Sequence, residues 1–263
     1  MTDVILQDLK DGLLTITMNR PERKNAMSPE FTFGLLQAAQ RAWDDQDVRA
    51  VLLKGAGGTF CVGGDVRGFA DPNRKPPSFE ERQVSLRSRM EASRLLHEMN
   101  KPVVAAVEGA AAGAGLSLAL ACDLRVVGEN AKITTAFAKV GLSGDYGGTY
   151  YLTKMLGSAK ARELYLLSPI LSGKEAHAAG MMTRVVPDAD VVKVATELAT
   201  QLAQGPSITL GYIKKNINNA EKLSLEACFD GEAFHHSRCG ETADHKEAST
   251  AFVQKRKPVF VGR

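Results

Sequence analysis

No disulfide framework can be drawn through this chain. Its four cysteines, Cys61, Cys122, Cys228 and Cys239, form no CxxC pair, which fits reduced and mostly buried thiols in a cytosolic protein. Strong charge of either sign is also missing. A net charge of +3 is too small to make nucleic acid the main partner, but it leaves room for one local anion site. There is no long apolar run: PVVAAVEGAAAGAGLSLALAC (102–122) comes nearest, and Glu108 and its glycines interrupt it. It falls short of the roughly 20 continuous apolar residues of a membrane span, so no membrane is expected as a partner. The opening MTDVILQDLKDG lacks the basic start and apolar core of a signal peptide. His97, His177, His235, His236 and His245 show no metal-ligand spacing with cysteines or acids, and no metal is expected. GxGxxG and Walker A patterns are both absent, which leaves a Rossmann or mononucleotide-phosphate reading without support.

What is there is an ordinary globular composition, 44% apolar and 24% charged over 263 residues. That is room for one large domain, or one domain plus an appendage. VILQDL (4–9) and GLLTITMN (12–19) alternate around Asp11-Gly12 and predict a hairpin. Ser28 followed by Pro29 predicts a helix start, with apolar residues at helical spacing from Phe31 to Trp43. Short apolar strands are expected at 49–55, 103–107 and 123–127, with helices at 80–99 and 116–122 between them. Strand–loop–helix alternation of this kind indicates an α/β fold. From about residue 156 the pattern is continuously helical, with helices expected at 158–168, 173–179, 188–204, 206–220, 223–238 and 241–255. The division that follows is a core over 1–200 and a C-terminal helical region over 201–263.

Two glycine-rich loops follow short strands: FCVGGD (60–65) and GAAAGAG (109–115). Small residues let another molecule approach the main chain. The second loop runs into a helix, whose first N–H groups lack intrahelical partners and sit at the positive end of the dipole. Such N–H groups can hold a carbonyl oxygen that becomes negative during reaction. Taken singly, either loop is explained as well by close packing. A third stretch, VGLSGDYGGTYYL (140–152), sets one acid, Asp145, among Gly144, Gly147 and Gly148, with no second acid in the stretch. A Gly-Asp turn is one explanation; a single acid/base beside a substrate is the other.

Together, NRPERKNAMS, GTFCVGGDV, KPVVAAVEGAAAGAGLSLALACDLRVV, KVGLSGDYGGTYYL and the terminal AFVQKRKPVF resemble the enoyl-CoA hydratase/isomerase family, the crotonases, over essentially the whole chain. The resemblance implies a ββα spiral core with a C-terminal α-helical region that assembles homotrimers, or dimers of trimers; the cysteine usage already makes a cytoplasmic location the expectation. The resemblance also implies an acyl-CoA thioester substrate, coenzyme A being part of that substrate and no separate cofactor being needed. By motif, the oxyanion hole falls to the backbone N–H groups of Val62 and Ala114. Arg23, Lys24 and Ala26 fall where the family contacts CoA, and Gly64, Asp65 and Val66 along the adenine and pantetheine. Phe252 and Lys255 resemble a C-terminal pair that reaches a neighbouring subunit's CoA, although Lys255-Arg256-Lys257 reads equally as a solvated face.

Hydratases of this family carry two glutamates, for which this chain has Ser117 and Phe137. Phenylalanine transfers no proton, and serine has no useful basicity without a neighbouring base. One base suffices to move a double bond, which makes Asp145 the expected acid/base, with Ser117, Phe137 and Tyr146 as the expected pocket wall. The GAG second loop and the acid just before a GG resemble phenylacetate-pathway isomerases in particular. Three alternatives stay open: a hydratase with an unusual acid set, a hydrolase or dehalogenase with Asp145 as nucleophile, and a non-catalytic acyl-CoA-binding subunit. Glu108 stands where a small or amide residue is expected.

Overall fold

The hairpin forms where Asp11-Gly12 predicts it. In the computed structural model, which describes residues 3–65 and 77–263, β1 (Ile5–Lys10) and β2 (Leu13–Met18) pair antiparallel with Lys10 opposite Leu13. Asp11 and Gly12 both take positive φ, 50° and 80°, the turn whose twist matches its flanking strands. α1 (Pro29–Asp44) begins at the expected cap, the Phe31 N–H donating to Ser28 Oγ at 3.3 Å.

From β2 onward the main sheet is parallel. β3 (Ala50–Gly55), β4 (Val103–Val107), β6 (Leu124–Gly128) and β8 (Arg184–Val186) add in the order β1-β2-β3-β4-β6-β8. Side chains alternate across it. Val51 and Leu53 of β3 join the larger core with α1, whereas Ala50 and Leu52 pack with Val104, Ala106 and the alanines of α7 (Val191–Ala203). Burial on both faces is why these strands read as unbroken apolar runs. A second, two-stranded parallel sheet joins β5 (Ala110–Ala112) and β7 (Lys132–Thr134).

The helix expected over 80–99 is two helices. α2 (Phe79–Arg89) starts at a Ser78/Glu81 capping box and buries nothing, whereas α3 (Glu91–Glu98) buries Ala92, Ser93, Leu95 and Leu96. They meet at Met90, whose ψ of −14° departs from the helical value. α4 (Ala114–Ala121) is buried along its whole length. α5 (Gly148–Leu167) starts earlier than its apolar pattern indicates and turns at Gly157, φ 76° and ψ 162°. α6 (Gly173–Ala178) leads into β8, a three-residue strand too short to show periodicity.

The C-terminal helices are α8 (Ser207–Ala220), α9 (Leu225–Gly240) and α10 (Ala243–Val253). Lys214 of α8, 7% exposed, fastens them to the sheet. Its ammonium donates to the carbonyls of Leu96 (2.9 Å) and Lys101 (3.1 Å) and pairs with Asp123 at 2.8 Å. Among the described residues no helix is long and apolar enough to cross a membrane.

Candidate active site

The two glycine loops lie side by side. Cys61 and Ala111 form a parallel bridge, the Cys61 N–H donating to Ala110 O (3.1 Å) and the Ala112 N–H to Cys61 O (3.0 Å). Beyond that bridge, Gly64 and Ala114 line the same cleft. The approach needs glycine: a Cβ on Gly115 would stand 2.2 Å from Cys61 O, and one on Gly63 2.8 Å from Ala112 O and 3.3 Å from Ala114 N.

Hydrogen bonding then decides which N–H groups are available, and it corrects one expectation. The Val62 N–H donates to Lys24 O at 3.3 Å and is engaged. One bridge further, the Met27 N–H donates to Gly63 O (2.8 Å) and the Asp65 N–H to Met27 O (3.3 Å). In a parallel bridge this leaves the intervening Gly64 N–H turned away from Met27. Gly64 N–H has no acceptor among the described residues, and neither has Ala114 N–H, the first of α4, which lacks a side-chain cap. The open pair is therefore Gly64 and Ala114.

Both groups border one groove. An outer cleft of about 410 Å³ is lined by Glu22, Arg23, Lys24, Ala26 and Val62 together with Gly64 and Asp65. An inner cleft of about 380 Å³ shares Gly64 and Asp65 and adds Ala114, Asp145, Tyr146 and Arg89, with Met27, Thr32 and Leu86 among its apolar or short side chains. The residues expected near CoA and the residue expected to do chemistry thus meet at Gly64. Val66 lies outside the described residues.

The Asp145 loop is held in an unusual conformation. Gly144 and Gly147 take φ of 124° and 78°, and Tyr146, which is not glycine, takes 49°. A left-handed tyrosine needs support from its surroundings. Ser93 of α3 supplies some: its hydroxyl donates to Tyr146 O at 2.7 Å and lies 3.0 Å from the Tyr151 hydroxyl. Below the loop the Gly148 N–H donates to Asp145 O at 3.2 Å and starts α5. Asp145 Oδ1 is buried without a hydrogen-bond partner among the described residues. Burial pushes this carboxyl up to about 6, against the opposing pull of the Arg89 guanidinium. A carboxylate so placed takes and returns protons readily near neutral pH. Among the described residues the inner cleft's other acid is Asp65, paired with Arg20 at 3.5 Å, while an exposed Glu22 lines the outer cleft.

Several expected residues stand elsewhere. Ser117, 1% exposed, donates to Gly113 O at 3.3 Å. Phe137 stacks on Tyr165 with ring centroids 5.9 Å apart. Both pack behind the second loop and line neither cleft, so of the expected pocket wall only Tyr146 faces the groove. Phe252 and Lys255 sit at the end of α10, away from this chain's groove, with Phe252 85% exposed. Glu108 is half-buried and lines neither cleft; burial raises its carboxyl and Lys54 lowers it. Sequence reasoning missed Gly64 as an N–H donor, whose signal was the doubled glycine before Asp65. It also missed Ser93 and Arg89, for which a single sequence carries no signal. Among the described residues no cluster of three histidines, cysteines or acids could hold a metal ion.

The family described as Enoyl-CoA hydratase/isomerase matches residues 8–263. The chain is 38% identical over 264 residues to the 1,2-epoxyphenylacetyl-CoA isomerase of Escherichia coli, covering 100% of both. It is 30% identical to the short-chain-enoyl-CoA hydratase of Clostridium acetobutylicum, over 98% of this chain and 97% of that one. The crystal structure of an enoyl-CoA hydratase from Polaromonas sp. JS666 superposes with a TM-score of 0.90 at 33% identity, over 98% of this chain and 99% of the other. By its sequence over nearly its whole length, and by a fold that sets two open N–H groups beside one buried acid, the chain belongs to the enoyl-CoA hydratase/isomerase family.

Proposed function

We propose that this enzyme shifts a double bond in an acyl-CoA thioester, with Asp145 as its only acid/base. The observation that carries the reading is the Asp145 carboxyl: buried, without a partner at Oδ1 among the described residues, raised to about 6, and in the same cleft as the Gly64 and Ala114 N–H groups. In this reading the thioester oxygen sits between those two N–H groups, and Asp145 takes a proton from Cα. The electron pair left on carbon moves onto the thioester oxygen, where the two N–H groups stabilise the enolate. The double bond then re-forms between Cα and Cβ as the Asp145 proton passes to Cγ, which restores the carboxylate. No water is consumed.

Hydration asks for two proton movements and a placed water. The groove supports that less well: among the described residues the inner cleft's second acid, Asp65, is paired with Arg20, Glu22 lines only the outer cleft, and Glu108 lines neither. Arg23 and Lys24 of the outer cleft fit the phosphates of CoA as cations. Exposed apolar side chains on the C-terminal helices, among them Leu225, Phe229, Phe234 and Phe252, support assembly into homotrimers, with Phe252 and Lys255 serving a neighbour's groove. The name of the 38% relative supports a ring-derived acyl group. The test is to follow a 3-enoyl-CoA and crotonyl-CoA separately by chromatography. Conversion of the first to its 2-enoyl isomer with little hydration of the second is expected; rapid hydration of crotonyl-CoA and no isomerisation would overturn the proposal.

A further inference from the structure

Asp145 does not face the inner cleft alone. Arg89, the last residue of α2, lines the same cleft, and among the described residues it is the cation that acts on the Asp145 carboxyl. A basic residue in a last helical turn is ordinary, since it meets the negative end of the dipole. Arg89 departs from that pattern in where its donors go. Its Nε–H donates to Ser85 O at 3.1 Å, which ties one edge of the guanidinium to its own helix. Among the described residues no acid lies within 4.0 Å of its terminal nitrogens, and no acceptor takes their N–H groups. The cleft therefore holds a half-buried guanidinium with its far edge open and an unpartnered carboxyl oxygen, close enough to feel each other but not paired. Two other acids are engaged elsewhere: Asp65 of the same cleft with Arg20, and Glu91, two residues on in sequence, with Arg87 and Arg94.

A purely hydrocarbon acyl chain in this space would strip water from the guanidinium and return nothing, a loss comparable to leaving a charged donor unpaired. We propose that Arg89 recognises an oxygen acceptor on the acyl group, beyond the reacting carbons, so that the substrate is an oxygen-bearing acyl-CoA rather than a plain fatty acyl-CoA. The inference rests on the acyl-CoA reading of the groove and deepens it by naming the substrate class. Guanidinium suits this task because its remaining N–H groups form a fixed fork that matches a carboxylate with two bonds or a hydroxyl or carbonyl with one.

Binding of unreactive saturated esters separates this proposal from the chemistry. Hexanoyl-CoA, 6-hydroxyhexanoyl-CoA and adipoyl-CoA would be titrated calorimetrically into wild type and Arg89→Met. Wild type is expected to bind at least one oxygen-bearing ester about tenfold or more tightly than hexanoyl-CoA. Arg89→Met should abolish that preference while leaving hexanoyl-CoA binding intact or improved. Preference for adipoyl-CoA alone identifies a carboxylate, and equal preference for the hydroxy ester a neutral oxygen. Equal affinity for all three esters in wild type, or an unchanged preference in Arg89→Met, would overturn the proposal and leave the acyl-CoA reading standing. Failure of all three esters to bind wild type would instead sink the acyl-CoA reading itself. Arg89→Lys, which keeps the charge and loses the fork, is expected to retain only part of the preference.

Discussion

Replacing Asp145 by asparagine should make the protein more stable, and by an amount that depends on pH. The fold raises this carboxyl from 3.8 to about 6, so it favours the neutral acid over the carboxylate. At 1.36 kcal/mol per pH unit, that difference corresponds to about 3 kcal/mol as an upper figure. The sign follows from linkage. A group whose folded pKa lies above its unfolded value contributes stability that is fully present below about pH 3.8 and lost as pH rises through about 6. Asparagine keeps nearly the same shape without a charge, so Asp145→Asn escapes the loss. Urea unfolding of both proteins between about pH 4 and pH 8 would read the effect. The variant should gain about 2–3 kcal/mol at about pH 8, shrinking to almost nothing toward pH 4. A gain independent of pH would mean that ionisation is not its source, and a loss of stability at pH 8 would refute the placement of Asp145 in a site that disfavours its charge.

Ala114→Pro tests the second N–H donor. Proline is tolerated at the first position of a helix, which Ala114 occupies, so the change removes that N–H; kcat should fall about 100-fold or more, with melting temperature measured alongside because the Ala114 nitrogen packs closely against Gly63. Ser93→Ala removes the bond that helps hold Tyr146 in its left-handed conformation and should lower both kcat and stability, the latter by about 1–2 kcal/mol in urea unfolding. Lys214→Met leaves the Asp123 carboxylate and two carbonyls without their shared donor, and should cost about 3 kcal/mol in the same assay.

Local chemistry made parts of this fold legible in the sequence. Asp11-Gly12 between alternating stretches and Ser28-Pro29 before an apolar stripe each fix a conformation within a few residues, and the structure has both. The second sheet was hidden because β5 and β7 have three residues each, and β5 lies inside an Ala/Gly run without alternation. At the site, Asp145 and Ala114 stood out because isolated acids and helix starts are local features. Val62 against Gly64 was not a local question. Which N–H stays open depends on the bridges from Gly64 to Met27 and from Cys61 to Ala111, contacts between distant parts of the chain. Ser117 and Phe137 were placed on the pocket wall by resemblance, whereas their packing against Gly113 and Tyr165 takes them behind it. The division of the 80–99 helix at Met90 likewise follows from what each half packs against, since α2 buries nothing and α3 buries a full face.

The central claim is that one buried acid moves the proton in both directions. Isomerisation of a 3-enoyl-CoA to its 2-enoyl isomer by wild type and by Asp145→Asn, with CoA-ester binding measured alongside, tests it most directly. The account predicts that the variant binds the ester as well as wild type does, yet isomerises it about 100- to 10,000-fold more slowly. A variant that binds and isomerises at the wild-type rate would contradict it.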